Sequence, residues 1–138
     1  MKIKVIETEL VIEINKRITL PLEQKHVCAQ PEKIESALHA AIYPGNFPFV
    51  HGGIVDIAAA LFFYIIKSHA FFDGNKRTAL ITAIVFLESN GWTLKYPLSP
   101  KNNEIATLAD ECAASIKNLD QVKKWFQMHK VKIKQLNK

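Results

Sequence analysis

Apolar residues recur along this chain mostly at helical spacing. Between Val5 and Ile18 the apolar positions 6, 10, 11, 14 and 18 lie close to helical spacing, which predicts an amphipathic helix, although Met1 to Ile6 fits a short strand equally well. Pro21 and Pro31 then break the pattern, so "TLPLEQKHVCAQPEK" is expected to be a connecting loop. From Glu32 to Ile42 the set Ile34, Ala37, Leu38, Ala41 and Ile42 falls on one face, predicting a second helix. Residues 43 to 53, "YPGNFPFVHGG", carry turn chemistry with room for an extended piece at Phe47, Pro48, Phe49 and Val50. Ile54 to Ser68 is apolar nearly all round, as a central buried helix must be, with Asp56 near its start and Lys67 near its end suiting the macrodipole. Arg77 to Asn90 is apolar on most faces, and Gly91 is placed to end it as a left-handed cap. Beyond the loop "YPLSPKN", two more helices are expected at Asn103 to Ile116 and Asp120 to His129, with apolar sets Ile105, Leu108, Ala109, Cys112, Ile116 and Val122, Trp125, Phe126. The expected architecture is all-α.

The pattern shows no repeat and no boundary, and 138 residues suit a single domain spanning 1–138. The longest apolar run, Ile57 to Ile66, is half of the roughly 20 residues a bilayer crossing needs, so no membrane partner is expected. The N-terminus alternates charged and apolar residues, unlike a signal peptide, which predicts a cytoplasmic protein. Cys28 and Cys112 stand far apart, and the histidines lack ligand spacing, so neither a disulfide framework nor zinc is expected; both thiols are predicted to be buried. The formal net charge of +5 favours acidic partners without choosing among them.

One stretch departs from this plain picture. Residues 68 to 78, "SHAFFDGNKRT", pack a histidine, an aspartate, an asparagine, a lysine and an arginine between the two most apolar helices. Lys76 and Arg77 fall where a helix begins, at the end whose positive partial charge makes a cation unfavourable by about 0.3 to 1 kcal/mol. Asp73 and Asn75 are N-cap candidates that offset part of this, yet the sum still favours an anion as third party. Gly74 lets the backbone approach closely and expose its amides, as phosphate cradles require, and an Arg fork with a Lys point charge would complete one. His69, ending the preceding helix, could accept a proton from an attacking hydroxyl, and Asp73 could hold a magnesium ion bridging phosphate oxygens. Phe71 is expected to point inward as an anchor. Singly, each residue has an ordinary reading as a cap, a dipole partner or a solvated charge; their coincidence between two core helices points to phosphoryl or nucleotidyl transfer.

The stretch resembles the signature of the Fic/Doc family, roughly H-x-F-x-D/E-G/A-N-G/K-R, through His69, Phe71, Asp73, Gly74, Asn75, Lys76 and Arg77. "IESAL", "AAALFFYIIKSH" and "TALITAIVFLESNG" are similar to the family as well, so the likeness covers about residues 30 to 95. It implies a compact helical bundle with a short flap before the central helix. It also implies that His69 is the general base, Asp73 the magnesium-linked or His-orienting carboxylate, Gly74 and Asn75 phosphate binders beside the helix amides, and Lys76 and Arg77 the neutralising charges. Phe47 to Val50 would form the flap that aligns a protein target as an added strand.

Members that transfer AMP typically carry glycine where this chain has Lys76, and a second arginine where it has Leu80. Both departures resemble the Doc branch, the death-on-curing toxins, in which ATP binds in the reversed sense and its terminal phosphate passes to a threonine of a translation elongation factor. The resemblance therefore implies ATP and Mg2+ as cofactors and a protein substrate, with a Fic-type AMP transferase or a non-catalytic member as the alternatives. The family's inhibitory pattern S/T-x-x-x-E-G/N is matched neither at Thr19 to Glu23, which Pro21 interrupts and Gln24 follows, nor at Thr107 to Glu111, which Cys112 follows. A separate antitoxin chain is the control this implies. The lysine-rich C-terminus, "VKKWFQMHKVKIKQLNK", is expected to cap the core through Trp125 and Phe126 with a solvated tail, and not to bind nucleic acid.

Overall fold

A computed structural model of the chain describes residues 4–22, 30–42, 52–96, 98–99 and 102–133. The flap residues Phe47, Pro48, Phe49 and Val50, and Cys28, lie outside this set. Six α-helices dominate the described residues: α1 (Thr8–Thr19), α2 (Pro31–Ile42), α3 (Ile54–Ser68), α4 (Asn75–Ser89), α5 (Glu104–Ala113) and α6 (Leu119–His129). The all-α expectation holds.

Helix α3 is the axis of the bundle and packs against α2, α4, α5 and α6. Its sequence explains this: Ile57, Ala58, Ala59, Ala60, Leu61 and Phe62 are all fully buried, so neighbours cover it from every side. Phe62 meets Phe126 of α6 with ring centroids 5.5 Å apart and tilted by 54°, an aromatic arrangement that adds about 0.5–1.5 kcal/mol to area burial. At the start of α3, Asp56 accepts a hydrogen bond from Gln127 of α6 at 3.0 Å. Helix α6 begins with a capping box, in which Asn118 and Gln121 satisfy each other's backbone amides.

Helix boundaries differ from the sequence expectation in instructive ways. Helix α3 spans the predicted residues, but α4 starts at Asn75 rather than Arg77, and the N-cap position belongs to the left-handed Gly74 (φ 80, ψ 18) rather than to Asp73 or Asn75. Gly91, at φ 89, follows α4 as predicted. Helix α5 ends at Ala113, since Ser115 turns left-handed at φ 63, and Ile116 is exposed instead of joining the apolar face.

Two small antiparallel pairings went unpredicted. Strand β1 (Trp92–Leu94) pairs with β4 (Lys130–Lys132) in the register Trp92↔Lys132, and β2 (Leu98–Ser99) pairs with β3 (Asn102–Asn103). Val122 and Phe126 are buried as expected, while Trp125 is half-buried and stacks on His129.

Candidate active site

The segment 69–74 joins α3 to α4, and its shape is fixed by two left-handed residues and three side-chain anchors. His69 ends α3 at φ 50, ψ 40. That conformation costs a side-chain-bearing residue roughly 1–2 kcal/mol, and such strain gathers at functional positions. Ala70 and Phe71 then turn into the core, so Phe71 is the inward anchor predicted for it. Asn75 pins the same residue from the other end: the Phe71 N–H donates to Asn75 Oδ1 at 3.1 Å, and Asn75 Nδ2 donates to the Phe71 carbonyl at 2.9 Å. The side chain of Asn75 thus shapes the loop.

Gly74, at φ 80, is the second left-handed residue, and here glycine is required twice over. A Cβ at this position would stand 2.9 Å from Thr19 Cγ2 and 3.1 Å from Asn15 Nδ2, both on α1. Asn15 and Thr19 are fully buried polar residues. Asn15 Nδ2 donates to the Asp73 carbonyl at 2.8 Å and to Thr78 Oγ1 at 3.0 Å, tying loop and first turn of α4 to α1. The Thr78 N–H closes the first helical bond to the Gly74 carbonyl at 2.9 Å. The N-cap Gly74 makes no side-chain bond to the leading amides of α4, and such a helix start favours an anion.

A cavity of about 510 Å³ lies between the end of α3, this loop, the start of α4 and the face of α5. Phe62, Ile66, Leu80, Ile105 and Ala109 give it an apolar interior, and its polar border is made by His69 and by Asp73 to Arg77. Six of the residues singled out from the sequence, His69, Asp73, Gly74, Asn75, Lys76 and Arg77, therefore line one cavity. Asp110 of α5 faces them: Lys76 Nζ stands 2.6 Å from Asp110 Oδ1, an exposed pair spanning the opening.

The end of α5 is also tied to α3. Lys67, near the end of α3, donates to the Cys112 carbonyl at 3.3 Å and to Ser115 Oγ, holding the end of α5 against α3. Cys112 itself is fully buried, and desolvation pushes its thiol up to about 11 against the opposing pull of the Lys67 charge. It is packing, not chemistry.

Magnesium is commonly held by one or two carboxylates, with phosphate oxygens and water completing six ligands. Asp73, at the cavity border beside the α4 amides, fits that role; among the described residues no cluster of three or more acidic, histidine or cysteine side chains offers an all-protein metal cage. Asn15 and Asp110 were missed by the sequence reading. The available signal for Asn15 was its place on the row Val11, Asn15, Thr19 at spacing of four, which puts two polar residues on a buried stripe.

Residues 6–87, more than half of the chain, match the family model described as the Fic/DOC family. No curated protein matches the chain. The matched span includes α1 to α3, the loop and nearly all of α4, and stops short of α5, which carries Asp110. No described helix is long and apolar enough to cross a membrane.

Proposed function

Because the chain belongs to the Fic/DOC family, whose members are generally nucleotide-using transferases acting on proteins, we propose that it moves the terminal phosphate of ATP to a hydroxyl side chain of a protein, in the manner of the Doc branch. The observation that carries this reading is the division of the cavity. Its positive charge lies at the border, in Lys76, Arg77 and the α4 amides, while Leu80 contributes only apolar surface to the wall where AMP-transferring members have a second cationic side chain. One phosphate cradle is therefore supported, at the entrance, where a target hydroxyl can also arrive.

In this reading the transferred phosphate sits against the amides that open α4, with Arg77 offering a fork and Lys76 a point charge. Lys76 is shared with Asp110, so phosphate competes with that carboxylate for the ammonium. His69 accepts the proton of the target hydroxyl as its oxygen attacks the γ-phosphorus; the bond from that phosphorus to the bridging oxygen breaks, and ADP leaves with the electron pair. Magnesium bound at Asp73 would neutralise charge on the phosphate oxygens. Asn75 holds the loop in shape throughout, through Phe71. A translation elongation factor as target, control by a separate antitoxin and a cytoplasmic setting follow from the Doc-like reading and belong to this proposal.

The test uses ATP labelled at either the α or the γ phosphate, incubated with the protein, magnesium and cell extract. Label is expected to reach a protein only from the γ position, and His69→Ala is expected to abolish it. Transfer only from the α position would establish AMP transfer instead.

A further inference from the structure

Asn15 is an expensive residue to place where it stands. It is fully buried on α1 in line with Val11 and Thr19, and burying an amide costs several kcal/mol unless hydrogen bonds compensate. A leucine of similar volume would fill the space without that cost. What the amide does there is reach across to the Asp73 carbonyl and to Thr78 Oγ1 with one nitrogen.

We infer that Asn15 is a positioning residue for the phosphate cradle: by holding the Asp73 carbonyl toward α1, it aims the Gly74 N–H into the cavity. The peptide between Asp73 and Gly74 is trans, so its C=O and N–H point in opposite directions. With the carbonyl directed at Asn15, the Gly74 N–H faces away from α1. Away from α1 is the cavity, which Gly74 borders and to which, among the described residues, α1 contributes none. The direction in which a Cβ would leave Gly74 agrees, because it meets Thr19 and Asn15 and so leaves the opposite side open. The bond to Thr78 completes the device. One side chain grips both the peptide before the helix and the helix's first turn, which fixes the angle between the Gly74 amide and the amides that follow it. This inference rests on the proposed phosphate site.

Two measurements on the full chain test it. In the unaltered protein, inorganic phosphate is titrated while the backbone amide resonances are followed. The Gly74 N–H is expected to shift strongly and to saturate with the other amides at the start of α4; phosphate binding that leaves Gly74 unmoved overturns the inference. Asn15→Leu, which keeps volume and removes the donor, is then compared with Val11→Ala, a fully buried change on the same helix. Both should lower the melting temperature, but only Asn15→Leu should also weaken phosphate, by about tenfold, the equivalent of one well-placed hydrogen bond. Equal phosphate affinity in the two variants would show that Asn15 merely packs. If the unaltered protein binds neither phosphate nor ATP with magnesium, the site itself is misread, and the role given to Asn15 goes with it.

Discussion

Gly74→Ala is the sharpest probe of how the loop is held, because its cost has two separable parts. The backbone part is the left-handed conformation at φ 80, about 1–2 kcal/mol for a residue with a side chain. The packing part is the new methyl group, 2.9 Å from Thr19 Cγ2 and 3.1 Å from Asn15 Nδ2. Neither neighbour can retreat easily: Thr19 is buried and donates to the Asn15 carbonyl at 2.9 Å, and Asn15 is held by Asp73 and Thr78. Overpacking of this kind costs about 1–3 kcal/mol. The total is about 2–5 kcal/mol, or roughly 4 °C of melting temperature per kcal/mol for a domain of this size. Urea denaturation at constant slope measures it. The second variant, Thr19→Ser, removes the obstructing methyl while keeping the hydroxyl. In the double mutant the packing part should shrink and the backbone part persist, giving a favourable coupling of about 1 kcal/mol or more. A cost below about 1 kcal/mol for Gly74→Ala, or additive behaviour of the pair, would refute the claim that α1 presses on the loop at this point.

Three further outcomes are expected. His69→Gly should be at least as stable as the parent in thermal unfolding, since glycine accepts the left-handed conformation, yet lose about 10²–10⁴-fold in transfer rate if His69 is the base. Asp110→Asn should change stability by less than about 1 kcal/mol, as the pair with Lys76 is exposed; by releasing Lys76 and removing a competing anion, it should tighten phosphate binding in calorimetry, most clearly at low salt. Cys112 should resist thiol reagents in the folded protein at pH 8 and react on unfolding. Its folded value is raised from 9.0 to about 11, so between those values the unfolded chain ionises and the folded one does not; stability should fall as pH rises through that window, and Cys112→Ala should remove this part of the decline in urea midpoints.

Much of the architecture was legible because its signals are local. Helix α3 could be bounded from its own composition, with glycines before it and a polar stretch after it, and the chemistry-bearing residues were contiguous, so their meeting at one cavity required only that the loop be held. What could not be read depended on distant partners. Asn15 lies 58 positions from Asp73, and Asp110 lies 34 from Lys76; in sequence each is an unremarked polar residue on an amphipathic helix. Strands β1 and β4 have three residues each, too few for alternation to register, and they exist because the end of α6 returns beside the end of α4. The exposed Ile116 belongs to the same class, its helix having been stopped by the left-handed Ser115 just before it.

Helix α4 is tied to the N-terminal segment at both ends. Asn15 grips its beginning, and at the other end the Lys4 N–H donates to Asn90 Oδ1 at 2.8 Å while Asn90 Nδ2 donates to the Lys4 carbonyl at 2.9 Å. These ties bridge 58 to 86 positions, whereas α3 and α4 are neighbours in sequence and pack on each other directly. Contacts between near elements form before contacts that close long loops. The helical hairpin of α3 and α4 can therefore assemble with its connecting loop shaped only by the Asn75 bonds to Phe71, and the tie to Asn15 is added when α1 docks. An opening that parts α1 from α4 would release the Asp73 carbonyl and leave the proposed phosphate cradle without that support.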